Sequence, residues 1–205
     1  MGEQTRIRAP QQARSIDKKA KLIEAAYELF CERGYYKTTT PEVARRAGFA
    51  VGSLYAYFKD KDDLFMAALD LYDERFSGIR AEALADMARQ DRPIRESLRL
   101  LLEKLIEIHQ ETKALNIEIR IVAYSNPAVR LRQEAQAEGV RSGILQSLRA
   151  NAGRLRDLDL EAAAEVVDEM LSGIVHRIAF GGTAVEGSRV LEAALDALCA
   201  YLMPS

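Results

Sequence analysis

The stretch TTPEVARRAGFAVGSLYAYFKDK, residues 39–61, decides how the whole chain is read. Thr39 and Glu42 stand three apart, the spacing of a capping box. Pro41 suits a first helical turn, because its missing N–H would have had no partner there. Eight residues after Thr39, Ala47-Gly48 ends that helix, and a short third helix follows with Leu54 and Phe58 four apart. Only Ala47-Gly48-Phe49-Ala50 joins the two. Two short helices with a glycine in so tight a turn form a helix-turn-helix, whose second helix enters a major groove while the first crosses the backbone. Val51-Gly52-Ser53 is small and lets the backbone approach base edges. Tyr55 and Tyr57 offer flat rings with a hydroxyl for a phosphate oxygen, and Lys59 and Lys61 bring charge to the flanking phosphates. An αα-hairpin inside a bundle core would equally explain Leu54 and Phe58. It leaves the tyrosines and the dense Lys/Arg set without a reason.

The rest of the chain is helical in its apolar spacing. Upstream, Ile16, Ala20, Ile23, Tyr27 and Phe30 form one stripe, with Asp17 in the first turn and Gly34 at a left-handed C-terminus. Residues 1–14 read as a flexible tail, whose Arg6, Arg8 and Arg14 either reach an adjacent minor groove or stay solvated. Downstream, the spacing predicts a helix from about Asp62 to Ile79 and another opened by Pro93. Residues 116–123 alternate Ile117, Ile119 and Ile121 like a strand, yet Leu115, Ile119 and Val122 also fit a helix; with no second strand to pair with, helix is expected. Asn126-Pro127 is a stop-and-restart signal, and the helix it opens carries Leu131, Val140, Ile144 and Leu148. The cleanest stripe is Leu160, Ala164, Val167, Leu171, Ile174 and Ile178, capped by Asp159 and broken by Gly181-Gly182. A last helix carries Leu191, Leu195, Leu198 and Leu202. The fold class is therefore all-α, with about nine helices.

Composition limits the function classes. At 205 residues, 48% hydrophobic and 29% charged, the chain fits a folded protein rather than a disordered one. No uncharged run is long enough to span a bilayer, and the N-terminus lacks the apolar core of a secretory signal. Cys31 and Cys199 stand far apart in apolar helical patterns, as expected of reduced core thiols in a cytoplasmic protein. The formal charge of −2 hides an asymmetry. Residues 1–61 carry twelve Lys and Arg against seven Asp and Glu, and the remainder seventeen against twenty-four. A basic front on an acidic body is expected where only one part meets a polyanion. Two histidines 67 residues apart, and the absence of HExxH, GxSxG or a phosphate loop, leave no catalytic or metal constellation and no cofactor to expect.

Several linked motifs stand in order: Phe30-Cys31-Glu32-Arg33-Gly34-Tyr35, Thr38 to Ala44, Ala47-Gly48-Phe49, and Gly52 to Leu64. Together they closely resemble the N-terminal DNA-binding domain of TetR-family regulators, over about residues 15–65. The resemblance implies a DNA-binding domain at 15–61 and a helical ligand-binding and dimerisation domain at 62–205. It implies phosphate contacts from Thr40 and Thr39, and groove contacts from Val51, Gly52, Ser53, Tyr55, Ala56 and Tyr57 on a recognition helix over Ala50–Tyr57. Lys61 matches a backbone-contacting lysine. Position 50 is often a Ser cap and position 51 often polar; Ala50 and Val51 therefore shift readout toward thymine methyls and tyrosines.

One recognition helix reads few base pairs, so useful affinity calls for two copies on a palindromic operator. The resemblance implies a homodimer in which the last two helices of each subunit form a four-helix bundle. The interface is then expected at Leu160, Ala164, Val167, Leu171, Ile174, Ile178, Leu191, Leu195, Leu198 and Leu202, the alternative being burial of both stripes within one subunit. It also implies a small-molecule effector pocket in the larger domain. Candidates are the polar or aromatic groups inside apolar helices, namely Tyr72, Phe76, His109, Asn116, Arg120, Tyr124, His176 and Arg177. Each also reads as an ordinary core or interface group. The expected function is a repressor released by a largely hydrophobic ligand; a DNA-bound scaffold without inducer and a small helical enzyme are the competing classes.

Overall fold

The computed structural model describes residues 8–89 and 92–204. Nine α-helices are present among them. They are α1 (Arg8–Arg33), α2 (Thr40–Arg46), α3 (Val51–Leu54), α4 (Lys61–Arg89), α5 (Ile94–Glu111), α6 (Lys113–Ser125), α7 (Pro127–Ala150), α8 (Leu160–Phe180) and α9 (Gly187–Leu202), with one 3-10 turn at Ala152–Arg154.

Side chains close the helix ends that sequence signals mark. Asn126 Oδ1 accepts from the amides of Ala128 (3.0 Å) and Val129 (3.4 Å), so α6 stops and α7 restarts on one residue. Asp159 does the same for α8, accepting from Glu161 at 3.1 Å and Ala162 at 3.2 Å. Gly34 ends α1 at φ +83°, its amide bonded to Phe30 at 2.9 Å. A Cβ there would stand 2.3 Å from the Glu118 carboxylate, which reaches over from α6 to accept the Tyr36 amide at 2.9 Å. The glycine thus lets α6 latch onto the N-terminal helices.

The interior has two apolar clusters. The first joins α1, α2, α3 and α4 to α6. Leu22, Phe30, Val43, Leu54 and Phe65 are at most 1% exposed, and Phe30 meets Phe65 edge to face at 5.1 Å. This cluster continues through Tyr72, Phe76, Leu115, Ile119 and Val122, so apolar packing runs straight across the expected boundary at residues 61–62. The second cluster joins α5, α7, α8 and α9 around Leu102, Ala164, Val167, Leu195 and Leu198.

Several expectations are corrected. The tail expected at 1–14 is helical from Arg8 onward; Ala9, Gln11, Gln12, Ala13 and Arg14 suit a helix, and Pro10 is tolerated in a first turn. Arg6 lies outside the described residues. Asp17 is therefore in mid-helix, paired with Lys21 at 2.8 Å. Ile16 is 64% exposed; the buried face is Leu22, Ala25, Ala26, Leu29 and Phe30. Leu131 is exposed, Val129 taking the inward place on α7. Helix α4 runs ten residues beyond Ile79, to Arg89.

Candidate nucleic-acid interface

Helix α2 begins with a built cap. Glu42 Oε2 accepts the Thr39 amide at 3.0 Å and the Thr39 hydroxyl at 2.8 Å. After Arg46 the chain turns through Gly48, at φ +76°, where the Phe49 amide bonds back to Ala44 at 2.8 Å. That conformation, which only glycine adopts without strain, sets the crossing of α2 and α3. Val43, Ala44 and Leu54 are fully buried, and Phe58 nearly so, which fixes the inner side of the motif.

The outer side is exposed at Val51, Gly52, Tyr55, Ala56 and Lys59. Regular α-helix covers only Val51–Leu54, not the expected Ala50–Tyr57. Tyr55–Tyr57 continue as turns, with the Tyr57 and Phe58 amides both bonded to Leu54 at 2.9 and 3.0 Å. Ala50 supplies no side-chain cap, and Gly52 weakens so short a helix.

Most hydroxyls of this surface already have partners. Thr40, buried at 8% exposure, shares a 2.9 Å hydrogen bond with the Tyr55 hydroxyl, and the Tyr57 hydroxyl meets Ser15 at 3.0 Å. Lys18 donates to Ser53 at 3.1 Å and lies 4.7 Å over the Phe49 ring. Ser15 and Lys18 of α1 thus tie down Tyr57 and Ser53. Sequence reasoning missed Ser15 and Lys18, which a contact-free stripe cannot reveal. Lys61 is half-buried, its ammonium 4.2 Å over the Tyr35 ring, and burial lowers its pKa. The Tyr35 hydroxyl donates to Asp62. Arg46 is chelated by Glu28 and Glu32 at 3.1 and 2.8 Å, while Arg45, Lys37 and Lys59 are exposed. Apolar groups and an exposed tyrosine flanked by cations are what a surface suited to a duplex presents.

A second assembly lies at the junction of α4, α5 and α8. Tyr72 stacks against Phe76 at 4.3 Å, Phe76 meets His109 at 4.8 Å, and His109 meets His176 at 5.2 Å. His176 in turn stacks on Phe180 at 5.3 Å. The two histidines of the chain are ring neighbours. Asn116 joins from α6, accepting the Tyr72 hydroxyl at 2.6 Å and donating to Thr112 at 2.6 Å. Five of the eight expected pocket residues therefore come together. Arg120 is exposed, though within electrostatic range of His176, and Tyr124 is 92% exposed. Arg177 is exposed and turned to the Gly182 carbonyl at 3.0 Å. These three point away because they occupy the outer faces of α6 and α8. Phe180 and Thr112 were missed; Phe180 falls four residues after His176 on the same face.

Burial pushes the His109 imidazole down to about 4, helped by His176 and Arg80 and opposed by the Leu105 carbonyl 2.7 Å from Nδ1. In the unfolded chain this ring titrates near 6.5. Its neutral form thus favours the fold above pH 6.5, and that advantage is lost as pH falls from 6.5 toward 4. The loss is about 2–3 kcal/mol. Urea melts at pH 7.5 and 4.5 should show it, and His109→Gln should flatten the difference between them. An unchanged slope in that variant would contradict the assignment.

Among the described residues no group of three His, Cys, Asp or Glu is placed to hold a metal, and no helix is long and apolar enough to cross a membrane.

Comparison with known proteins follows the same division. Residues 22–68 match the model for bacterial regulatory proteins of the tetR family, and residues 93–202 match that for the tetracyclin repressor-like C-terminal domain. The HTH-type transcriptional repressor AcnR of Corynebacterium diphtheriae is 25% identical over 181 residues, covering 85% of this chain and 88% of AcnR. A TetR transcription regulator from Haloarcula marismortui superposes with a TM-score of 0.70 at 24% identity, over 91% of this chain and 99% of that one. FadR from Bacillus subtilis, solved in complex with stearoyl-CoA, gives 0.65 at 22% identity, over 87% and 96%. At those identities the two structures bear on the fold.

Proposed function

Because the chain belongs to the TetR family of bacterial regulatory proteins, which are DNA-binding transcriptional regulators and not enzymes, we propose that it is a cytoplasmic homodimeric repressor released from a palindromic operator by a small, largely apolar ligand. One observation carries this reading. A single unbroken helix, α4, starts at Lys61 beside the DNA-facing surface and carries Tyr72 and Phe76 into the ring assembly. A ligand that prefers one arrangement of those rings acts on the DNA surface through that helix, since only differential affinity shifts an equilibrium. AcnR being a repressor and FadR a binder of stearoyl-CoA support repression and an apolar effector.

Dimerisation follows from the need for two half-sites. Burial within the single chain divides the residues expected at the interface. Ala164, Val167, Leu191, Leu195, Leu198 and Leu202 are at most 7% exposed within the single chain, consumed by packing of α5, α8 and α9. Leu160, Leu171 and Ile178 are half-buried against the same cluster, and Ile174 is half-buried. The outward sides of the same helices expose Val166 and Gly173 on α8 and Ala193, Ala197 and Ala200 on α9. Small residues of this kind allow close helix approach across a two-fold axis, and we assign the interface to them.

Titration of labelled DNA from upstream of the coding region, with and without candidate apolar compounds, tests the reading. Binding that one compound class reverses supports it. Binding that no ligand alters would instead favour an inducer-free scaffold.

A further inference from the structure

The segment from Ala50 to Phe58 contains no Lys or Arg, so its polar side chains are hydroxyls alone. Those hydroxyls are tied on two flanks. Tyr55 is bonded to Thr40 of α2 and Tyr57 to Ser15 of α1, and in each pair either oxygen can donate. Ser53 differs. Its partner at 3.1 Å is the Lys18 ammonium, which donates and never accepts. Ser53 Oγ is therefore the acceptor of that pair, and its own proton, bonded to no other described residue, is left to donate.

The ammonium is fixed from two sides, by Ser53 and by the Phe49 ring 4.7 Å away. No carboxylate among the described residues pairs with it; Asp17, its neighbour in sequence, is bonded to Lys21 at 2.8 Å. Lys18 and Ser53 are both half-buried rather than enclosed. Gly52, beside Ser53, is exposed, and a Cβ there would meet nothing within 4 Å, so the approach over Gly52 is open to a base edge. Two fixed donors with no acceptor between them thus stand at the edge of α3.

We propose that Lys18, from outside the helix-turn-helix, reads guanine together with Ser53. In the major groove guanine presents N7 and O6, two adjacent acceptors that match two donors. Adenine sets an amino group beside its N7 and cytosine offers a donor, so both oppose the pair; thymine offers a single acceptor beside its methyl. The inference rests on the proposed DNA-binding surface and names one base that it selects.

Selection from a randomised duplex library by the full-length protein tests it. The wild type should retain guanine at one position of each half-site. Lys18→Met and Ser53→Ala should each lower the preference for guanine over adenine at that position at least about fivefold, leaving the other positions within about twofold. A lysine that only meets phosphate would weaken all sequences alike and leave the selected base unchanged, and a role in folding alone would blur every position; either result overturns the inference. Should a variant fail to fold, the wild-type protein decides. Replacing that guanine with 7-deazaguanine, which lacks the N7 acceptor, should weaken binding at least about fivefold, and undiminished binding overturns the inference. If Lys18→Met and Ser53→Ala keep the guanine while Tyr55→Ala binds weakly, this inference falls and the proposed surface stands. If Tyr55→Ala also binds undiminished, or the wild type selects no sequence, the surface falls with it.

Discussion

Ala197→Glu is expected to split the proposed dimer into folded monomers, whereas Leu195→Ala, two residues away, is expected to lower the melting temperature sharply. Ala197 is exposed with Ala193 and Ala200 on the outer side of α9. A carboxylate added there occurs twice across a two-fold axis, so each copy meets its own charge, a repulsion worth several kcal/mol at a contact. The monomer loses nothing, because the site touches none of its core. Leu195 is fully buried between α5, α8 and α9. Truncating it costs about 2–5 kcal/mol, a large share of the 5–15 kcal/mol typical of a folded protein. Sedimentation velocity and thermal melting by circular dichroism read the two outcomes separately. An Ala197→Glu protein that still sediments as a dimer would move the interface elsewhere; a Leu195→Ala protein that melts like the parent would remove that side chain from the core.

Tyr55→Ala is expected to cut operator affinity about 30- to 1,000-fold without changing stability. The ring is 52% exposed, so the fold draws little from it. Losing its contact costs about 1–2 kcal/mol per half-site by analogy with other base-reading side chains, and symmetry doubles the loss. Tyr55→Phe separates two causes. It keeps the ring but frees the Thr40 hydroxyl, now bonded at 2.9 Å, for a phosphate. A Phe variant near wild-type affinity assigns the effect to the ring; one as weak as Ala assigns it to the hydroxyl pair. Anisotropy titrations at a single fixed salt concentration are required, because phosphate contacts make affinity steeply salt-dependent. No loss in the Ala variant would mean that another surface meets the duplex.

The reach of sequence reasoning is visible in individual residues. Asn126, Asp159 and Gly34 mark helix ends because each closes an end by itself, with an atom or a torsion that does not depend on distant packing. The start of α1 carries no such mark, and seven residues of helix were read as tail. The α8 and α9 stripes were legible as buried faces. Whether a partner subunit or the same chain covers such a face depends on where α5 lies, which periodicity does not encode. The pocket candidates divide in the same way. Tyr72, Phe76, His109, Asn116 and His176 converge, while Arg120, Tyr124 and Arg177 lie on outer faces that spacing alone does not distinguish from inner ones.

The unbroken course of α4 has a geometric corollary. From Lys61 to Phe76 is fifteen residues, about 22 Å of stiff rod. A 10° tilt pivoting at the ring end swings the lysine end by about 4 Å. In the proposed dimer such a swing, mirrored by the twin subunit, would alter the separation of the two reading heads by up to about 8 Å, against a duplex repeat of about 34 Å. That mismatch is a large part of a groove's width, so on the proposed reading a tilt of this size would put one head out of step with its half-site.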